Sequence, residues 1–310
     1  PEDHSHVHRW EPWVRSYLCA QVLSQGLSFK TGGGTGKAWS VTMTTALPGG
    51  DGHRFDLITM VRPEVQVFER QLQYVMDWAD LREERMPEVL TQMGNTLAFW
   101  GTLVPLHTER MRRTRELIEA AVQFAMVVEM RFKHELACWR PTDLSAQIQP
   151  MIATPGHGSL PSGHCTEAYA VNVVLQCLLE MHKEPDASES LRRQFDRTAE
   201  RISTNRVVAG VHFPIDNVAG RLLGSVLGRY FCVCCGREVE LMEGTFDASK
   251  YPGVVGQIEF LPEATEQLLD ESSFAGWKPS KQKTKLPRSV LHELWDASRD
   301  ELVNLGYLVQ

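Results

Sequence analysis

Pro161-Ser162-Gly163-His164 is the stretch on which the reading of this chain turns. The apolar run that follows, from Gly163 to His182, has the spacing of a helix, and Ser162 stands where its N-cap belongs. A helix start presents free backbone amides and the positive end of the helix dipole. Gly163, without a side chain, lets an anion approach that backbone closely. The Ser162 hydroxyl adds a donor, and His164 adds an imidazole suited to proton transfer near neutral pH.

Two cationic segments flank this turn. Upstream, Lys133 is followed after six residues by Arg140-Pro141, and downstream Arg206 is followed after five by His212, with Asp216 four residues further on. Seven residues are nearly two helical turns, so Lys133 and Arg140 are expected on one face at the end of a helix spanning Glu109 to Trp139 and stopped by Pro141. Lysine brings a mobile point charge and arginine a rigid fork, a pairing suited to several oxygens of one anion. Arg206 and His212 are expected on a loop, with the Asp216 carboxylate fixing the tautomer of the imidazole. The set as a whole can surround a tetrahedral or trigonal-bipyramidal oxyanion.

The rest of the chain is consistent with a helical protein. Val67, Phe68, Leu72, Val75 and Met76 recur at three- and four-residue spacings, as do Leu117, Ala121, Phe124, Val128 and Phe132. Further helices are expected over residues 189–204, Ile215–Phe231 and Ser289–Leu305, whereas residues 1–60 read as irregular. The expected fold is all-α, a helical bundle with few or no strands. Residues 1–235 form the bundle that carries the site (core motifs 133–216), and 236–310 form a C-terminal extension packed on the same domain, with a strand-like run at Val254–Leu261 and a basic stretch at Lys278–Arg288.

A net charge of -7 argues against nucleic acid as the main partner, because phosphate contacts require a basic face. The most apolar segment, Val218–Val233, is interrupted by Arg221 and Arg229, so no membrane span is expected. The expected chain is soluble, cytoplasmic or exported, and its first residue, Pro1, leaves the native start open. Thr31-Gly32-Gly33-Gly34-Thr35-Gly36-Lys37 imitates a P-loop but lacks the first glycine and the hydroxyl residue after the lysine, so it reads as a glycine-rich surface loop. Cys232-Val233-Cys234-Cys235 reads as buried thiols at a helix end, and His4, His6 and His8 as a solvated tail.

The ordered set Lys133, Arg140-Pro141, Pro161-Ser162-Gly163-His164 and Arg206…His212…Asp216 resembles the superfamily that joins type 2 phosphatidic acid phosphatases, bacterial class A acid phosphatases and vanadium-dependent haloperoxidases. Asn205 departs from it, since a serine usually precedes the arginine. The resemblance implies a cage in which Lys133, Arg140, Ser162, Gly163 and Arg206 hold oxygens of vanadate or phosphate, His164 moves protons, and His212 is either the vanadate ligand or the nucleophile. His157, seven residues before His164, corresponds to a histidine of the bromoperoxidases, and Trp139 to a tryptophan of the chloroperoxidase. These two tilt the expectation to a vanadium-dependent haloperoxidase that oxidises bromide or iodide with hydrogen peroxide, with an organic acceptor and a homodimer also implied. The alternative is a soluble acid phosphatase that hydrolyses phosphomonoesters through a phosphohistidine at His212.

Overall fold

The computed structural model describes residues 9–34, 37–46, 54–94, 96–181, 185–250, 275–280 and 288–308. His4, His6, His8, Val254–Leu261 and part of the glycine run and of the basic stretch lie outside them. The chain opens with α1 (Pro12–Gln25), β1 (Leu27–Gly34), β2 (Lys37–Ala46) and β3 (Arg54–Val61), followed by the short helices α2 (Val65–Glu69), α3 (Leu72–Asp77), α4 (Arg82–Thr91) and α5 (Leu97–Trp100). The long helices are α6 (Arg112–Leu136), α8 (Gly163–Leu178), α9 (Pro185–Val208) and α10 (Pro214–Cys234), with α7 (Pro141–Leu144) between the first two. β4 (Met242–Asp247), β5 (Ala275–Pro279) and α11 (Val290–Asn304) complete the order.

The all-α expectation is wrong. Helix accounts for 59% of the described residues, but β1 to β5 form one mixed five-stranded sheet in sequence order. β1, β2 and β3 are an antiparallel meander, β4 runs parallel to β3, and β5 pairs antiparallel with β4. The first 60 residues, expected to be irregular, thus supply three strands. Their signal is the alternation Trp39-x-Val41-x-Met43, in which Val41 and Met43 are fully buried while the intervening Thr42 hydroxyl meets Thr59 at 2.9 Å across the strand pair. A bulge between Met43 and Thr44 then shifts the register and blurs that alternation.

The sheet lies behind α6 and α10, with Phe29 of β1 edge-on to Phe132 of α6 at 5.7 Å. The α6 stripe is buried as expected: Leu117, Ala121, Phe124, Val128 and Phe132 are each at most 1% exposed. Two long-range polar contacts hold this helix at its start. Glu301 of α11 accepts from the backbone amides of Arg113 and Thr114 at 2.8 and 2.9 Å, so it occupies donors that a helix start leaves free. The Arg15 guanidinium of α1 meets the Glu116 carboxylate through two nitrogens.

α8 and α10 pack most closely, through Gly220, Gly224 and Gly228, which face α8 at four-residue spacing. A Cβ on Gly224 would stand 2.3 Å from the Thr166 carbonyl oxygen, so the two backbones are in direct contact there. Arg221 of α10 remains in this apolar setting by lying over the Tyr169 ring and beside Glu200. Among the described residues no helix is long and apolar enough to cross a membrane.

Candidate active site

The three motifs converge at the ends of α6, α8, α9 and α10. α6 stops earlier than its sequence suggests, because Ala137 takes a left-handed conformation (φ 46°) and its amide bonds back to Lys133. Arg140 is therefore not on a shared helix face with Lys133. It sits at the N-cap of α7 with its amide held by Asp143 Oδ2 at 2.7 Å. The same construction recurs at the head of α10, where Pro214 fills the first position and the Phe213 amide donates to Asp216 Oδ2 at 2.9 Å. Arg206 also departs from expectation, being in the last turn of α9 and not on a loop.

Lys133, Arg140, Ser162, Arg206 and His212 are all at most 5% exposed. On one wall every donor has an acceptor. Lys133 Nζ donates to the carbonyls of Gly158, Ser159 and Pro161. The Arg140 fork donates to the carbonyls of His157 (3.1 Å), Val211 (2.7 Å) and Gly158 (3.3 Å), and to His212 Nε2 at 3.0 Å. Arginine can only donate, so Nε2 accepts and the His212 proton lies on Nδ1, 2.9 Å from Asp216 Oδ2. Burial, and then the Arg140 charge, hold His212 well below the usual imidazole range, so the ring is neutral. Burial also raises Asp216 to about 6 and lowers Lys133 to about 8.

The opposite wall is not satisfied in this way. Ser162 stands at the N-cap of α8 with its own amide bound to the Asp216 carbonyl at 2.9 Å, yet its hydroxyl makes no capping bond. Among the described residues neither Ser162 Oγ nor Arg206 Nε has a hydrogen-bond partner, although both atoms are buried. Arg206 is otherwise held through Nη2 by Gln92 Oε1 at 2.8 Å, and burial brings its pKa down to about 10. Two desolvated donors without acceptors, beside the first amide of a helix, are the signature of a place made for an anion.

His164 is partly buried, and its Nε2 lies 2.7 Å from the Gln92 carbonyl, so that nitrogen carries the proton. Burial and the Arg206 charge lower its pKa to about 4. His157 is exposed at the rim, with Nδ1 3.1 Å from Arg140 Nη2. Trp139 is 57% exposed and takes no part in the cage.

Sequence reasoning missed Gln92. It anchors His164 through its carbonyl and Arg206 through its side chain, and it caps the C-terminal end of α4, outside all three motifs. Asn205, the departure from the family pattern, supports that residue: its Nδ2 donates to Gln92 Oε1 and to Glu88 Oε2, both at 3.0 Å. Glu129 and Glu167, beside the cage, were also missed. The signal available was their spacing, one helical turn before Lys133 and one after Gly163.

Comparison with curated proteins yields no significant match. Among solved structures, the chain is similar to the transmembrane PAP2-type phosphatidylglycerolphosphate phosphatase from Bacillus subtilis, at 20% identity and a TM-score of 0.41, over 53% of this chain and 84% of that one. Nothing in these comparisons is specific to a haloperoxidase. The model of the PAP2 superfamily matches residues 117–239, from within α6 through α10 and without the sheet, so this stretch is what the chain shares with the PAP2 superfamily.

Proposed function

We propose that the protein is a phosphatase that transfers the phosphoryl group of a phosphomonoester to His212 and then to water. The observation that carries this reading is the pair of buried donors, Ser162 Oγ and Arg206 Nε, that have no partner among the described residues and lie with His212 and Asp216 in one cage. Ser162, Arg206 and the Gly163 amide take phosphoryl oxygens, and Lys133 and Arg140 add charge.

In the first half-reaction His212 Nε2 bonds to phosphorus and the ester P–O bond breaks. Nε2 is released for this when Arg140 Nη1 turns from the ring to a phosphoryl oxygen. The Asp216 carboxylate accepts from the Nδ1–H, which keeps its proton, and stabilises the charge that forms on the ring. His164, whose Nε2–H is fixed on the Gln92 carbonyl, exchanges its proton at Nδ1. A dianion bound nearby raises its pKa from about 4, and the protonated ring gives that proton to the departing alkoxide. In the second half-reaction His164 takes a proton from water, the new P–O bond forms, the P–N bond breaks and phosphate leaves.

The same donors fit vanadate, which when bound would supply Lewis-acid activation of peroxide. His157 at the rim supports this second reading. Trp139, the other residue that pointed to it, faces solvent. The test is hydrolysis of a chromogenic phosphomonoester together with quenching in alkaline detergent to trap an acid-labile, alkali-stable phosphoprotein. His212→Ala should lose both the phosphoprotein and at least about 10³-fold in turnover while staying folded. Vanadate-dependent bromination of a phenolic dye, without phosphomonoester hydrolysis, would transfer the assignment to the peroxidase.

A further inference from the structure

Beside the cage, on positions that none of the motifs includes, are two carboxyl groups. Glu129 of α6 is 3% exposed and faces the start of α8, where a Cβ on Gly163 would fall 2.5 Å from Glu129 Oε1. The glycine that opens the helix end to an anion thus opens it equally to a side chain of the protein. Glu129 Oε2 is buried and, like Ser162 Oγ and Arg206 Nε, has no partner among the described residues. Glu167, one turn into α8, is the second carboxyl and acts electrostatically on the first.

The charged groups around this pair come from every neighbouring element. Lys133 on α6, Glu167 on α8 and Arg140 ahead of α7 act on Glu129, while Lys133 and Arg206 on α9 act on Glu167. Asp216 on α10 and the neutral rings of His164 and His212 complete the set. Three cations therefore already face three carboxyl groups before any ligand arrives. Burial, then Glu167, pushes Glu129 well above the usual carboxylate range, and burial brings Glu167 up to about 7. A dianion at Gly163 would face a neighbouring carboxylate if Glu129 stayed ionised, whereas the neutral acid offers an O–H to the same oxygen.

We propose that Glu129, as the neutral acid, is a further oxyanion-binding residue that donates to an oxygen of the phosphoryl group at Gly163, with Glu167 as the positioning residue that keeps the proton there. The proposal rests on the oxyanion reading of the cage. Where Glu129 is already neutral in the free protein, binding exchanges no proton there; at higher pH, where it is ionised, binding of a dianion takes up one proton at Glu129 from solvent, and product release returns it.

The test is calorimetric titration of inorganic phosphate into the full chain, in buffers of different ionisation enthalpy, from about pH 5.5 to about pH 8.5. Phosphate's own ionisation is common to wild type and Glu129→Gln, so it cancels in their difference. At the alkaline end, where Glu129 is ionised in the free protein, wild type should take up one more proton than E129Q, its affinity should fall more steeply by about tenfold per pH unit, and E129Q should bind more tightly; at the acid end, where Glu129 is already neutral, uptake and slope should match. Equal uptake and equal slopes at the alkaline end as well, or loss of phosphate binding by folded E129Q at every pH, would overturn the proposal. Glu167→Gln gives a second reading should E129Q not fold. Removing its charge should move the alkaline midpoint of wild-type binding to lower pH, and an unmoved midpoint overturns the proposal. Wild type that binds phosphate without the extra proton refutes this inference alone, whereas no phosphate binding at all refutes the oxyanion cage as well.

Discussion

The two walls of the cage differ in what they are doing before any ligand arrives. Lys133 and Arg140 already donate to a ring of backbone carbonyls at residues 157–161 and 211, whereas Ser162 Oγ and Arg206 Nε donate, among the described residues, to nothing. The first wall therefore belongs to the folded framework as much as to the site. A ligand gains little there, because each new bond replaces an old one. On the second wall each bond to a ligand satisfies a desolvated donor, so most of the discrimination between loaded and empty site should come from it.

That contrast is broken or upheld by a pair of substitutions. Arg206→Met should reduce kcat/KM by about 10²-fold while leaving the unfolding free energy within about 1 kcal/mol, because a buried guanidinium with an unmet N–H is replaced by an apolar chain of similar length. Lys133→Met should lose comparable activity and also about 2–4 kcal/mol in urea denaturation, since three carbonyls lose their donor. Equal stability losses in the two variants would erase the distinction between the walls.

The pH profile sharpens it. Asp216 has to be ionised to hold His212, so kcat/KM should fall as pH drops through about 6. Lys133 has to be charged, so activity should fall again as pH rises through about 8. Both limbs come from burial of the satisfied wall and its supports. If Glu129 contributes to the alkaline limb, E129Q should flatten it to the part owed to Lys133. The smallest effect is expected of Asn205→Ser, which shortens the side chain bonded to Gln92. A loss of roughly twofold in kcat/KM, read by initial rates, would place residue 205 one step away from the oxyanion, and a loss as large as that of R206M would put it in the cage.

The sequence made the cage legible because its residues lie at helix ends with short, fixed spacings, and because Arg140-Pro141 and Phe213-Pro214 each carry an aspartate two residues after the proline. What it did not show came from tertiary structure. Gln92 reaches the site from a separate helix, at a distance in sequence that no local spacing reveals. The end of α6 was misjudged because Pro141 was the evident stop, while a left-handed alanine four residues earlier has no comparable signature. The sheet was missed because β1 ends in glycines, β2 is rich in threonine and carries a bulge against β3, and β3 finds a parallel neighbour only after residue 240. His157 and Trp139 were weighed together from sequence, but only His157 reaches the cage.

The glycine line of α10 sets the bore of this cage. Because Gly224 brings backbone against backbone, the separation between the helix that carries Ser162 and Gly163 and the one that begins after His212 is fixed by main-chain atoms. Side chains can repack to admit a slightly larger guest, but peptide groups in contact cannot. The spacing between His212 and the start of α8 is in this way a property of the main chain, inherited from a line of missing side chains.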